Sequence, residues 1–131
     1  MELRNFMAYE LVEKIKKREL SVQELVKSSF ERINATEDKI HSFVNLSEEK
    51  ALKKAKELDD RNKKKGKRRA KLFGIPFANK DLICVKDFPT TCGSKILQGY
   101  NPPYNAFVIE QLVEKAEAIH VGNTNMDLTD F

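Results

Sequence analysis

The stretch Leu72-Phe73-Gly74-Ile75-Pro76-Phe77-Ala78-Asn79-Lys80-Asp81 is an apolar run, cut by glycine and proline, that ends in a lysine and an aspartate. Proline offers no N–H to a ladder, which predicts an irregular or edge strand here. A lysine one step past an apolar strand is a buried or half-buried amine. Burial favours its neutral form, the form a general base requires. The simpler reading of the same residues is a strand-end lysine that reaches solvent.

Upstream of this stretch the pattern is helical. Met7, Leu11, Val12 and Ile15 recur at spacings of three and four, which predicts one apolar stripe on a helix of about three turns. Lys16, Lys17 and Arg18 follow at the end where the helix dipole favours cations. Ser21-Val22-Gln23-Glu24 is a capping box, in which hydroxyl and carboxylate satisfy each other's orphan amides. It opens a second helix with Val22, Leu25, Val26 and Ile33 inward, closed by Asn34-Ala35-Thr36. His41 to Leu46 alternates apolar and polar as a short strand does, and Ser47 can cap a third helix that turns Ala51, Leu52, Ala55 and Leu58 inward.

Downstream, Asp87 to Ser94 is a loop by composition, and Asn105 can cap a helix that buries Val108, Ile109, Leu112, Val113 and Ala116. Ala118-Ile119-His120-Val121-Gly122 reads as a buried strand. A strand, a long crossing and a second strand imply a parallel or mixed α/β sheet. The expected organisation is one domain over 1–131: a helical arm at 1–62, a basic linker at 63–71 and the start of an α/β sheet at 72–131.

The chain has 131 residues, enough for one core, with 40% hydrophobic and 34% charged residues. That composition excludes a chain disordered throughout, and no apolar stretch approaches the ~18 residues of a membrane span. The acidic Met1-Glu2 start argues against a secretory signal, so Cys84 and Cys92 are expected as reduced thiols in the cytoplasm. Neither they nor the isolated His41 and His120 make up a metal site. No phosphate-binding loop, dinucleotide fingerprint or Gly-x-Ser-x-Gly elbow is present. The net charge of +4 is local: eight of the 24 basic residues lie between Arg61 and Lys71 with no acid among them, leaving the remaining sixteen outnumbered by 20 acids.

The deciding stretch has companions. Gly74-Ile75-Pro76 with Lys80-Asp81 is followed by Thr90-Thr91-Cys92-Gly93-Ser94-Lys95, Pro102-Pro103-Tyr104-Asn105-Ala106 and Gly122-Asn123-Thr124-Asn125-Met126-Asp127. In order and spacing these resemble the amidase signature family, and within it the A subunits of glutamyl-tRNA(Gln) amidotransferases. Ser47-Glu48-Glu49-Lys50-Ala51-Leu52 is similar to the same subunits, so the resemblance extends over nearly the whole chain.

The resemblance implies an α/β fold, a helical arm followed by the first strands and helix of a larger mixed sheet, truncated here. It also implies a catalytic triad of serine, cis-serine and lysine. Lys80 occupies the position of the triad lysine, and Asp81, Thr91, Gly93, Ser94 and Asn125 shape the site. The substrate implied is glutamine, whose amide nitrogen leaves as ammonia for the conversion of Glu-tRNA(Gln) to Gln-tRNA(Gln). B-like and C-like subunits are the implied partners and tRNA an indirect one; ATP and Mg²⁺ belong to a partner subunit, with no cofactor or metal on this chain. The implied setting is the cytoplasm, or the mitochondrial matrix in a eukaryote, with no membrane contact.

Both triad serines of the family lie downstream of the Asn125 motif, beyond Phe131, so this chain is expected to be inactive by itself. Other family positions are altered. Asn79 stands where an apolar residue is usual, Leu82 where asparagine is, Asn123 where lysine is, and Leu128-Thr129-Asp130 replaces Glu-Phe-Ala. Glu117 replaces a helix-ending glycine, at about 1 kcal/mol if the left-handed conformation is kept. The basic run has two readings: a patch for nucleic-acid phosphates, or a solvated linker with no aromatic residue for base stacking. The alternative function is accordingly a non-catalytic module that binds a protein or RNA through the helical arm or the basic run.

Overall fold

Ile119–Thr124 (β3) is buried along most of its length because it is paired on both sides. Pro76–Lys80 (β2) runs parallel to it and Phe43–Leu46 (β1) antiparallel, giving a mixed sheet of order β1-β3-β2. This computed structural model describes residues 2–64 and 69–127; the centre of the basic run and the Leu128-Thr129-Asp130 substitution lie outside the described residues. β2 is an edge strand that begins with Pro76, a place a residue without an N–H tolerates. Its register runs Pro76 to Ile119 and Phe77 to His120, then skips Val121, so that Asn79 lies beside Asn123 and Lys80 beside Thr124. Val121 is therefore a bulge residue, and the bulge decides which β3 side chains neighbour the end of β2.

Three helices, α1 (Ala8–Lys16), α2 (Val22–Ile40) and α3 (Glu48–Asn62), share one core with the sheet. Leu11, Ile15, Val22, Leu25, Val26 and Phe30 meet Ala51, Ala55 and Leu58, and all close on Phe73, Ile119 and Val121. The capping box forms as expected: Glu24 N donates to Ser21 Oγ at 3.1 Å and Ser21 N to Glu24 Oε2 at 2.9 Å. Asp59, near the end of α3, adds a second cap to the same helix by accepting from Val22 N at 2.8 Å and Gln23 N at 3.0 Å. A smaller cluster of Val85, Phe88 and Ile109 lies beneath the 82–106 segment.

Several local expectations are corrected. Met7 is 65% exposed, because it precedes the first turn and spends its N–H on Glu10 Oε2 at 2.7 Å, while Leu3 and Phe6 pack on the core instead. α2 does not close at Asn34-Ala35-Thr36: Thr36 Oγ1 donates back to Arg32 O at 2.9 Å, a bond compatible with helix, and the chain turns only at His41, with φ 52°. Ser47 precedes α3, but its hydroxyl donates to His120 O at 2.8 Å instead of capping. Asn105 caps nothing; its Oδ1 accepts from Lys86 N at 2.7 Å. The helix starts at Phe107 (α4, Phe107–Glu110) and widens into a π turn over Gln111–Lys115, so Ile109 is buried while Val108 faces solvent.

Glu117 keeps the left-handed conformation at φ 60°. Its carbonyl accepts from Gly74 N at 2.9 Å, and its carboxylate accepts from Ala70 N at 3.2 Å and pairs with Arg61. Glu117→Ala loses the side-chain bonds and keeps the strain, whereas Glu117→Gly loses both. Urea unfolding should therefore find the glycine variant more stable than the alanine variant by about 1 kcal/mol. At Gly122 an added Cβ would lie 2.4 Å from Asn45 O across the β1–β3 pair. Gly122→Ala is expected to destabilise the fold by about 2–3 kcal/mol, read as a lower urea midpoint with an unchanged slope.

Candidate active site

Lys80 ends β2, half-buried, at the carboxyl end of two parallel strands. The strand stops there because the Asn79 amide folds over the turn: its Nδ2 donates to Lys80 O and to Ile83 O, each at 3.1 Å. Ile83 N closes the turn with a second bond to the carbonyl of Lys80, at 3.0 Å. Asn79 Oδ1 is buried and has no hydrogen-bond partner among the described residues.

Asp81 follows, wholly buried. Its N–H donates to Thr124 O at 3.1 Å, extending the parallel ladder one step, and its carbonyl accepts from Cys92 N at 2.9 Å. Successive side chains of extended backbone leave on opposite sides. The Asp81 carboxylate accepts from Thr91 N at 3.2 Å, from the Thr91 hydroxyl in a short hydrogen bond, and from Asn123 Nδ2 at 3.2 Å. Thr91 then shapes the rest of its loop. Its Oγ1 accepts from Gly93 N at 3.3 Å, its carbonyl accepts from Ser94 N at 2.8 Å, and Ser94 Oγ accepts from Ile96 N at 3.3 Å.

Asp81, Thr91, Gly93 and Ser94 are thus one hydrogen-bonded unit attached to the end of the strand that carries Lys80. Asn125, the remaining position implied by the resemblance, is exposed one step past Thr124. Its N–H donates to Ser42 O at 2.6 Å and its Oδ1 accepts from Met126 N at 2.9 Å. Cys92 lies within the loop at φ 50° as a free thiol. Burial, reinforced by the Asp81 charge and by Cys84, pushes it above its usual range, which keeps it protonated and a poor nucleophile.

Sequence reasoning missed the other half of this network. Asn123, wholly buried, donates through Nδ2 to Asp81 and also to Pro89 O at 2.9 Å, while its Oδ1 lies 3.1 Å from His120 Nε2. An amide oxygen only accepts, so Nε2 carries the proton. The His120 ring is 4.9 Å from Phe88, edge-on, and 5.7 Å from Phe77, with Nδ1 3.5 Å from Ser47 Oγ. A line of polar contacts therefore runs from Ser47 through His120, Asn123 and Asp81 to Thr91. Chemically it orients and contributes no nucleophile of its own: neutral donors hold a buried carboxylate, and the carboxylate holds the loop to the end of β2.

Burial pushes His120 below its ordinary value of 6.5, with the Asn123 bond opposing. The unfolded chain then takes up the proton more readily than the folded one. The stability tied to neutral His120 is complete above pH 6.5 and declines as pH falls from there toward the lowered folded value. Unfolding midpoints measured from pH 8 to 5 should fall over that window in the wild type and stay flatter in His120→Gln, which keeps a donor for Asn123.

Comparison with known proteins agrees with this geometry. The Amidase family profile matches residues 24–131. The A subunit of glutamyl-tRNA(Gln) amidotransferase from Lachnoclostridium phytofermentans is 46% identical over 127 residues, and its counterpart from Natranaerobius thermophilus is 46% identical over the same length. Each alignment covers 97% of this chain and 26% of the relative, so the chain spans about a quarter of the length of these curated relatives. The peptide amidase structure from Stenotrophomonas maltophilia superposes with a TM-score of 0.82 at 31% identity, covering 91% of this chain and 24% of that one. The helices and the mixed sheet are therefore those of the amidase family, to which this chain belongs.

Proposed function

We propose that this chain is the N-terminal portion of the A subunit of a glutamyl-tRNA(Gln) amidotransferase and supplies the lysine of its glutamine-hydrolysing site. The observation that carries the reading is the likeness to such subunits along nearly all of the chain, joined to Lys80 at the carboxyl end of β2 beside the Asp81–Thr91 loop.

In this reading Lys80 works with two serines that the downstream part of the same subunit supplies. The amine of Lys80, in its neutral form, accepts a proton through the bridging serine as the nucleophilic serine oxygen attacks the amide carbon of glutamine. The proton returns to the leaving nitrogen, ammonia departs, and water releases glutamate from the acyl-enzyme. Asp81, Thr91, Gly93 and Ser94 form the wall beside that reaction, and Asn125 shapes the neighbouring strand end. B-like and C-like subunits, with ATP and Mg²⁺ on the partner side, take the ammonia to glutamyl-tRNA in the cytoplasm. Among the described residues no helix is long and apolar enough to cross a membrane.

Two measurements test the reading. The 131-residue polypeptide alone should release no ammonia from glutamine, because neither serine of the implied triad is among its residues. Fused to the downstream portion of a relative and assembled with that relative's B and C subunits, it should release ammonia, and Lys80→Ala should lower that rate by about 10²–10⁴-fold. A fusion that folds and assembles yet releases no ammonia, or a Lys80→Ala fusion at full rate, overturns the reading.

A further inference from the structure

The catalytic reading leaves the basic segment unused, yet the fold does something specific with it. Arg18, left-handed at φ 62° after α1, donates from Nη2 to Asn62 O at 3.3 Å and to Lys63 O at 3.0 Å. Arg69, from the far side of the run, donates from its own Nη2 to the same Asn62 oxygen at 3.2 Å, and from Nε to the Asn62 side chain. Two guanidinium nitrogens from residues 51 positions apart thus converge on one carbonyl, no farther from each other than those two bond lengths combined. Neither arginine forms an ion pair among the described residues. The carbonyl belongs to the end of α3, whose dipole supplies roughly half a negative charge, less than the two charges the guanidinium groups bring.

The surroundings extend that excess. Lys17 and Lys64 are exposed beside Arg18, and Lys71 and Lys115 line one shallow depression with Arg69; none of the four forms an ion pair among the described residues. Carboxylates nearby offset part of it: Glu19 pairs with Lys14 and Glu117 with Arg61, while Glu24 and Asp59, bonded to neutral donors, keep their charges in the depression they share with Arg18 and leave the six cations in excess. Glu114 shares the depression with Lys71 and Lys115 and offsets one charge there.

We propose that this stripe, Lys17–Arg18–Lys64–Arg69–Lys71–Lys115, binds the phosphate backbone of RNA, with one phosphate bridging the guanidinium groups of Arg18 and Arg69. The planar forks of two arginines retain N–H donors beyond those spent on Asn62, and phosphate oxygens match them in charge and spacing. Lysines continuing on both sides suit successive phosphates more than a single anion. None of the large apolar side chains exposed among the described residues belongs to segments 14–18, 61–64 or 69–71, so a lipid surface finds nothing there to bury. The same lack of aromatic residues makes the contact one with backbone and indifferent to base sequence.

RNA binding by this stripe does not depend on the catalytic reading, and its test leaves ammonia release untouched. Fluorescence anisotropy of a fluorescein-labelled 20-nucleotide poly(U) RNA, titrated with the full chain between 50 and 200 mM NaCl, should show binding that weakens steeply with salt. Each phosphate contact contributes roughly 0.7 to the slope of log affinity against log salt. Lys17→Gln/Lys64→Gln/Lys71→Gln/Lys115→Gln removes only solvated ends. It should lower affinity at 50 mM salt by about tenfold or more and the slope by about 2–3. Arg18→Gln/Arg69→Gln, checked by its unfolding curve, should lower affinity as well, and the slope by about 0.7, the share of one bridged phosphate. Absence of binding by the wild type, unchanged affinity and slope in the quadruple variant, or tighter binding to phosphatidylserine vesicles than to RNA overturns the proposal.

Discussion

A carboxylate shut away from water and held by neutral donors is the constraint on which the rest of the site depends. Asp81 ties the loop from Pro89 to Ser94 to the paired ends of β2 and β3, to β3 through Asn123. Three neutral donors replace the water a carboxylate would otherwise hold. Leaving any of them unpaired in the interior costs about 1–3 kcal/mol. The main chain of Asp81 is bonded on both sides, to Thr124 O and Cys92 N, so the backbone of the preceding residue is fixed as well. In this way the energetics of one buried acid set the place of Lys80.

The helices show a second economy. α1, α2 and the α4 turn each end in a left-handed residue, and in all three cases that residue carries a side chain where glycine would be easier: Arg18, His41 and Glu117. Two of these side chains reach the flanks of the basic segment, Arg18 to Asn62 O and Lys63 O, Glu117 to Arg61 and Ala70 N. A glycine at either place would relax the turn and release the tether. The strain therefore belongs to the anchoring of the segment between α3 and β2.

What the sequence revealed was local. The Ser21–Glu24 box, the inward residues of α3, the apolar runs that became β2 and β3, and the loop ending at Ser94 all rest on neighbours within a few positions. Phe30 was equally readable, four residues after Val26 on the same face. Thr36 and Asn105 misled because the same polar side chain serves a helix interior, a cap or a distant backbone amide, and only the folded surroundings choose. Met7 misled because the apolar period continued past the first turn. Asp59 capping α2, and Asn123 reaching Asp81, had no sequence signal: the partners are 36 to 42 residues apart and meet only through the sheet and the helix pair. The one hint at Asn123 was its replacement of a usual lysine, which marked the position without naming its partner. The place of Lys80 at a strand end was legible because the apolar run before it stops there.

The His120–Asn123–Asp81–Thr91 line also limits how its members can be replaced. Each member satisfies its neighbour in the interior, so a replacement at one of them strands a donor or an acceptor on the next. Such positions do not drift independently. A lineage that changes one must pass through a weakened intermediate or change two together, and the order of substitutions matters as much as their identity. The four residues are in effect a single energetic unit spread over two strands and a loop.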